Sequence, residues 1–149
     1  MPAMAVSKFE QFFRAAAGLD IDKADVKRYE QFLNEQIPAL LFRAQATAKS
    51  NVRDIIEPFD LPITKGLRQC MYDFEKIDQE LGLMPILDEL VARPPMDMAY
   101  SVETETQFAP IAGGLSVALA RTFTIIDPKV KNPQSDEWER AYRLFTLLL

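Results

Sequence analysis

The sequence contains no histidine. It therefore lacks both the commonest general base near neutral pH and the commonest metal ligand. A single cysteine, Cys70, allows no internal disulfide and suits a reducing, cytoplasmic setting. Glycine is scarce, at five residues in 149, and the Gly113-Gly114 pair has no Lys-Ser or Lys-Thr behind it, so no phosphate cradle is spelled out. A uniformly basic coat is missing as well: 17 Lys and Arg stand against 22 Asp and Glu, for a net charge of −5. No nucleophile stands with a base, and the scattered carboxylates have no partner that marks acid–base chemistry. The chain reads as a non-enzyme that needs no cofactor.

Two apparent signals dissolve on inspection. Asp20, Asp22 and Asp25 suggest a calcium loop, but such a loop needs Gly at its sixth position and Glu at its twelfth, where this sequence has Asp25 and Gln31. Helix capping is the better account of these acids. The stretch from Phe108 to Ile126 is long enough to span a bilayer, yet it carries Arg121 in its C-terminal half and Pro110 in its first turn. A buried central helix is expected there. The opening residues show no basic leader followed by an apolar run, so a soluble protein is expected.

What remains is an apolar chain of one-domain length. Hydrophobic residues make up 48%, enough at this size to bury roughly two-thirds of the unfolded surface without a staple. The spacing of apolar residues predicts helices throughout. Phe9, Phe12, Phe13 and Ala16 share one face of a helix over 7–17 that Gly18 stops. Asp22, with Asp25 three residues on, caps a long helix to Ser50, kinked by Pro38 and striped by Val26, Tyr29, Leu33, Ile37, Leu40, Leu41, Ala44 and Ala48. An extended patch, VRDII, leads to a helix over 58–82. A short helix over 84–92, a long one over 104–126 and a last one over 135–149, capped by Ser135, follow.

The plan short–long–medium thus occurs twice. A shift of 78 residues lays Phe9, Phe12 and Phe13 on Leu87, Leu90 and Val91, Leu41 on Leu119, Arg43 on Arg121 and Arg53 on Lys131. A shift of 77 lays Leu19-Asp20-Ile21 on Met96-Asp97-Met98. Loops, helix lengths and apolar stripes agree together, which marks an internal repeat.

The sharpest local pattern is NVRDIIEPFDLPI, in which Arg53 precedes Asp60 by seven residues after a short extended stretch. This resembles the second loop of histone folds, where an Arg and an Asp at that spacing clamp the loop. With the repeat, the chain is similar over about residues 7–149 to the bacterial doublet-histone family, in which two histone folds on one polypeptide pack as an intramolecular pseudodimer. The resemblance implies an all-α fold with a first unit over 1–82 and a second over 83–149, together one compact domain. In the second unit Lys131 takes the Arg place and Trp138 stands seven residues on, so no second clamp is expected.

The resemblance also implies a place for duplex DNA. A crossed pseudodimer brings the first loop of one half beside the second loop of the other, where Lys49, Arg53, Lys129 and Lys131 would meet phosphates, helped by Asn51 and Asn132 as neutral donors and by Lys8 or Arg14 at the edge. Screening at a Debye length of about 8 Å lets such local patches act despite the net charge. The implied function is sequence-nonspecific, architectural DNA binding as a cytoplasmic, nucleoid-associated protein. Two alternatives stay open: Arg53 serves only the Asp60 clamp while the lysines are solvated, or the fold serves protein pairing with little DNA contact. Close packing where the two long helices cross is the expected role of Gly113-Gly114.

Overall fold

The computed structural model describes residues 3–91 and 93–149, and they form an all-α structure. Helix α1 spans Ala3–Ala17, α2 Lys23–Ser50, α3 Lys65–Leu81, α4 Met84–Leu90, α5 Val102–Glu105, α6 Phe108–Ile126 and α7 Ser135–Leu148. Two-residue strands, β1 (Ile55–Ile56) and β2 (Ala99–Tyr100), and a 3₁₀ turn over Pro58–Asp60 complete the elements of the described residues.

Local chemistry explains the boundaries. The α2 N-terminus carries a full capping box: Asp22 accepts the Asp25 N–H, and Asp25 accepts the Asp22 N–H, each at 3.0 Å. Helix α2 runs through Pro38 as one element. Helix α1 starts at Ala3 rather than residue 7, because Ala5 and Val6 extend its buried face.

Four of the other expected helices change. The one over 58–82 divides: a helix begun at Pro58 would hold Pro62 past its first position, where the ring obstructs the turn before it. The chain instead makes the 3₁₀ turn and restarts at α3, where the Thr64 hydroxyl accepts the Leu67 N–H at 3.1 Å. The helix over 104–126 divides likewise. Ser101 caps the one-turn α5, and α6 begins at Phe108 with Pro110 in its first turn, where few N–H groups have partners to lose. The short helix over 84–92 stops at Leu90; residue 92 lies outside the described residues. Finally, the α7 cap is Gln134, whose N–H meets Glu137 Oε1 at 3.0 Å. Ser135 is the first helical residue, and its hydroxyl is held by Arg28 Nη2 at 2.7 Å.

Helix α6 is the axis of the molecule, touched by α1, α2, α3, α4 and α7, which buries a segment that is apolar and long enough to cross a membrane. The long helices α2 and α6 meet at a buried Tyr29–Ser116 hydroxyl pair, 2.6 Å apart. Ser116 gives its hydrogen to the Ala112 carbonyl, so Tyr29 donates to Ser116. Burial pushes the Tyr29 phenol well above its usual range, which keeps it a donor. The two glycines do not serve this crossing. They admit α3: a Cβ on Gly113 would stand 2.3 Å from the Phe74 ring, and one on Gly114 2.4 Å from Met71 Cγ.

The loops pair crosswise. Strands β1 and β2 run parallel, with Ile55 opposite Ala99 and Ile56 opposite Tyr100. The Ile56 carbonyl also accepts the Ser101 N–H and the Thr104 hydroxyl. The segment after α2 therefore lies against the segment before α5. At the other end, the Asp20 N–H meets the Lys131 carbonyl at 2.6 Å, which sets the segment before α2 against the segment after α6.

Candidate nucleic-acid interface

Each crosswise loop pair holds two of the four cations named from sequence, and the two ends differ. At the β1–β2 end, Arg53 makes two hydrogen bonds to Asp60, at 2.5 and 2.7 Å, and its guanidinium lies 4.6 Å from the centre of the Phe59 ring. Asp60 is buried, and the Glu57 N–H adds a third bond at 2.8 Å. These donors, the Arg53 guanidinium foremost, hold the Asp60 carboxyl below the usual carboxylate range. The bonds to Asp60 likewise raise Arg53. The clamp expected from the seven-residue spacing is formed. Two of the five guanidinium N–H groups are spent on it, which leaves three donors for another acceptor.

Lys49 lies one turn before Arg53 and reaches Asp97 of the opposing loop at 3.2 Å, with both side chains more than half exposed. An exposed pair of this kind is worth ~0–1 kcal/mol, so a phosphate can displace Asp97 at little cost. The exposed Asn51 amide donates one N–H to the Thr47 carbonyl at 2.9 Å, which helps close the end of α2, and it keeps a second N–H.

At the other end Lys129 and Lys131 are exposed, and among the described residues neither makes an ion pair. Asp127, the acid nearest in sequence, takes the Lys129 backbone N–H at 3.1 Å. Asn132 is occupied: with its amide oriented to satisfy both neighbours, the nitrogen reaches the Asp20 carbonyl and Asp25 Oδ2, each at 3.2 Å. Arg14 faces Asp20 at 3.4 Å across exposed surface. In place of a second Arg–Asp clamp, buried Trp138 donates its indole N–H to Asp25 at 3.0 Å. Burial raises the Asp25 carboxyl above its ordinary value, although that bond and the capping bond from the Asp22 backbone oppose the rise.

Sequence reasoning named the cations and missed what faces them. Asp97 aligns with Asp20 in the 77-residue shift, so an acid in the first loop of each half was there to be read as a partner for a neighbouring cation. It also missed that Val52 and Phe59 stand exposed on the β1–β2 end. Among the described residues no group of three His, Cys, Asp or Glu side chains is arranged to hold a metal.

Residues 9–146 match the family described as a domain of unknown function, DUF1931. The chain belongs to that family. A crystal structure of a protein from Thermus thermophilus is similar to this DUF1931 chain over 97% of both chains, at 46% identity and a TM-score of 0.85. A second, of an Aquifex aeolicus protein, has a TM-score of 0.84 over 97% of this chain and 95% of that one. At 23% identity it speaks for the fold alone. Two uncharacterized proteins of Aquifex aeolicus (strain VF5) are similar at 28% identity over 72% of the chain and at 30% over 78%. The DUF1931 chain spans 63% of the length of the first and 75% of the second.

Proposed function

We propose that this DUF1931 chain is a histone-fold pseudodimer that binds duplex DNA without sequence preference, through phosphates met by its paired loops. The observation that carries the reading is the contact between the Asp20 N–H and the Lys131 carbonyl. It sets a first-half loop against the loop bearing Lys129 and Lys131, two exposed ammonium groups with no carboxylate partner among the described residues. The β1–β2 pairing and the Arg53–Asp60 clamp support the same crossed arrangement at the other end. Lys49 contributes there by exchanging Asp97 for a phosphate, while Arg53 shapes the loop and offers its remaining donors.

Three exchangeable cations release about three counterions' worth of charge, so log affinity falls against log salt with a slope of about −3. Binding near physiological salt is weak, of the ~10⁻⁴–10⁻⁶ M order of nonspecific complexes. AT-rich and GC-rich duplexes bind alike. Joint Lys129→Glu and Lys131→Glu abolishes binding, and Lys49→Glu alone lowers the slope by about one. All leave the melting temperature nearly unchanged, since exposed substitutions stay within ~0.5 kcal/mol. A titration by fluorescence anisotropy reads each of these. A parent protein that binds no duplex at low salt and high micromolar concentration sinks the DNA reading.

A second reading rests on a different observation. Both cations of the β1–β2 end already have carboxylate partners, and Val52, Ile55 and Phe59 stand exposed beside them. A protein-pairing module with little DNA contact has those features, and it takes over if the titration fails.

A further inference from the structure

The two loop ends present their cations differently, and Asp97 makes the difference. One face of α2 grips this residue of the opposing loop at two points. Gln45 Oε1 accepts the Asp97 N–H at 3.1 Å, and one turn on, Lys49 Nζ meets Asp97 Oδ2 at 3.2 Å. Next in the chain, Met98 is buried in the core, so the backbone that carries the carboxylate is held on both sides. The Asp97 side chain itself is 79% exposed. The fold thus delivers an anion to an ammonium group that would otherwise meet DNA.

The aligned acid of the first half does something else. The Asp20 N–H also reaches across, to the Lys131 carbonyl, but its carboxylate turns back to Arg14 of its own half at 3.4 Å. Lys129 and Lys131 keep their ammonium groups free of ion pairs among the described residues. The 28 residues of α2 separate the two ends by up to about 40 Å. That is several Debye lengths at physiological salt, so each end keeps its own electrostatics.

We propose that Asp97 is an internal stand-in for a DNA phosphate, an autoinhibitory contact that holds the β1–β2 end closed while the Lys129–Lys131 end stays open. The inference rests on the DNA reading above and adds an order to it. A duplex meets the open end first. The phosphate that then comes to Lys49 must displace Asp97 and leave that carboxylate facing the duplex, so the second end binds less tightly than an unmasked Lys49 would. An exposed pair is weak enough to be broken, yet the bond to Gln45 keeps Asp97 in place to return to Lys49 whenever the phosphate leaves. Asp97 therefore limits affinity and favours release.

Anisotropy titrations at low salt, with one duplex of mixed sequence, test it. Asp97→Asn keeps the backbone bond to Gln45 and removes the charge. It binds about threefold to fivefold tighter than the parent, the upper range for loss of an exposed ion pair. The salt slope stays the same, because the same three cations are engaged. Asp54→Asn is the control: it removes an exposed acid of the neighbouring loop that makes no ion pair among the described residues, and it gains less. In a Lys49→Gln background, Asp97→Asn gains no more than Asp54→Asn does. Melting temperatures stay near the parent's, since all three positions are exposed. Equal or weaker binding by Asp97→Asn, or a larger gain that survives Lys49→Gln, overturns the stand-in and leaves the DNA reading in place. If neither the parent nor Asp97→Asn binds any duplex, the DNA reading itself falls, and the stand-in with it.

Discussion

Asp60 is the side chain on which the β1–β2 end most depends. It is buried and accepts two bonds from Arg53 and one from Glu57, so removing it strands three donors at once. Asp60→Ala is expected to cost about 1–3 kcal/mol, read as a lower denaturation midpoint, with Arg53→Ala moving the same way. Lys131→Ala, at the equivalent place in the second half, should leave the midpoint nearly unmoved. The sign of the pH effect follows from the lowered Asp60 carboxyl. A group with a native pKa below its unfolded value stabilises the fold above the unfolded pKa, about 4, and that contribution is lost as pH falls through the native value. The parent therefore loses stability on acidification in a step that Asp60→Asn flattens, as acid titration of the circular dichroism will show. Asp25 works in the opposite sense, since its raised carboxyl favours the fold at low pH.

Among the elements, α6 shows how packing overrides propensity. Two adjacent glycines in mid-helix cost about 1 kcal/mol each relative to alanine, and an isolated helix would gain by replacing them. Here Phe74 is 1% exposed and fills the space where a Gly113 Cβ would go. The ring has nowhere to retreat, so α3 must move off α6. Gly113→Ala is expected to destabilise by about 1–3 kcal/mol, against the helix-propensity trend, with thermal melting as the measurement. An equal or higher melting temperature would show that α3 yields easily. At Gly66, an exposed glycine on α3 with nothing near its absent Cβ, alanine should stabilise instead.

For the molecule as a whole, one hydrophobic core runs through both halves of the chain: Phe9, Phe32 and Leu40 belong to the same cluster as Leu87, Leu115 and Phe123. Strand β1 finds its partner across the midpoint, and so does the Asp20 N–H. Residues 1–82 expressed alone would expose the surfaces that α6 covers. That fragment should aggregate or dimerise, and a folded monomer by analytical ultracentrifugation would mean that the halves are independent rather than interlocked.

Order and type of the helices were legible from spacing alone, because α2, α3 and α6 each carry apolar residues every three or four positions over many turns. The clamp was legible too, since Arg53 and Asp60 are neighbours on one loop and seven residues fix their meeting. Boundaries next to proline were not. Whether Pro62 starts or breaks a helix depends on where Asp60 must turn to reach Arg53, and Thr64 competes for the same start. Charge at the candidate interface was the least legible. Lys49 reads as a lone cation until Asp97, 48 residues away, is folded against it, and the glycines read as a crossing point until α3 claims them. Local spacing carries what neighbours in sequence do to one another; the pairing of ions and the seating of rings are made between distant segments, and only the packed chain decides which of them meet.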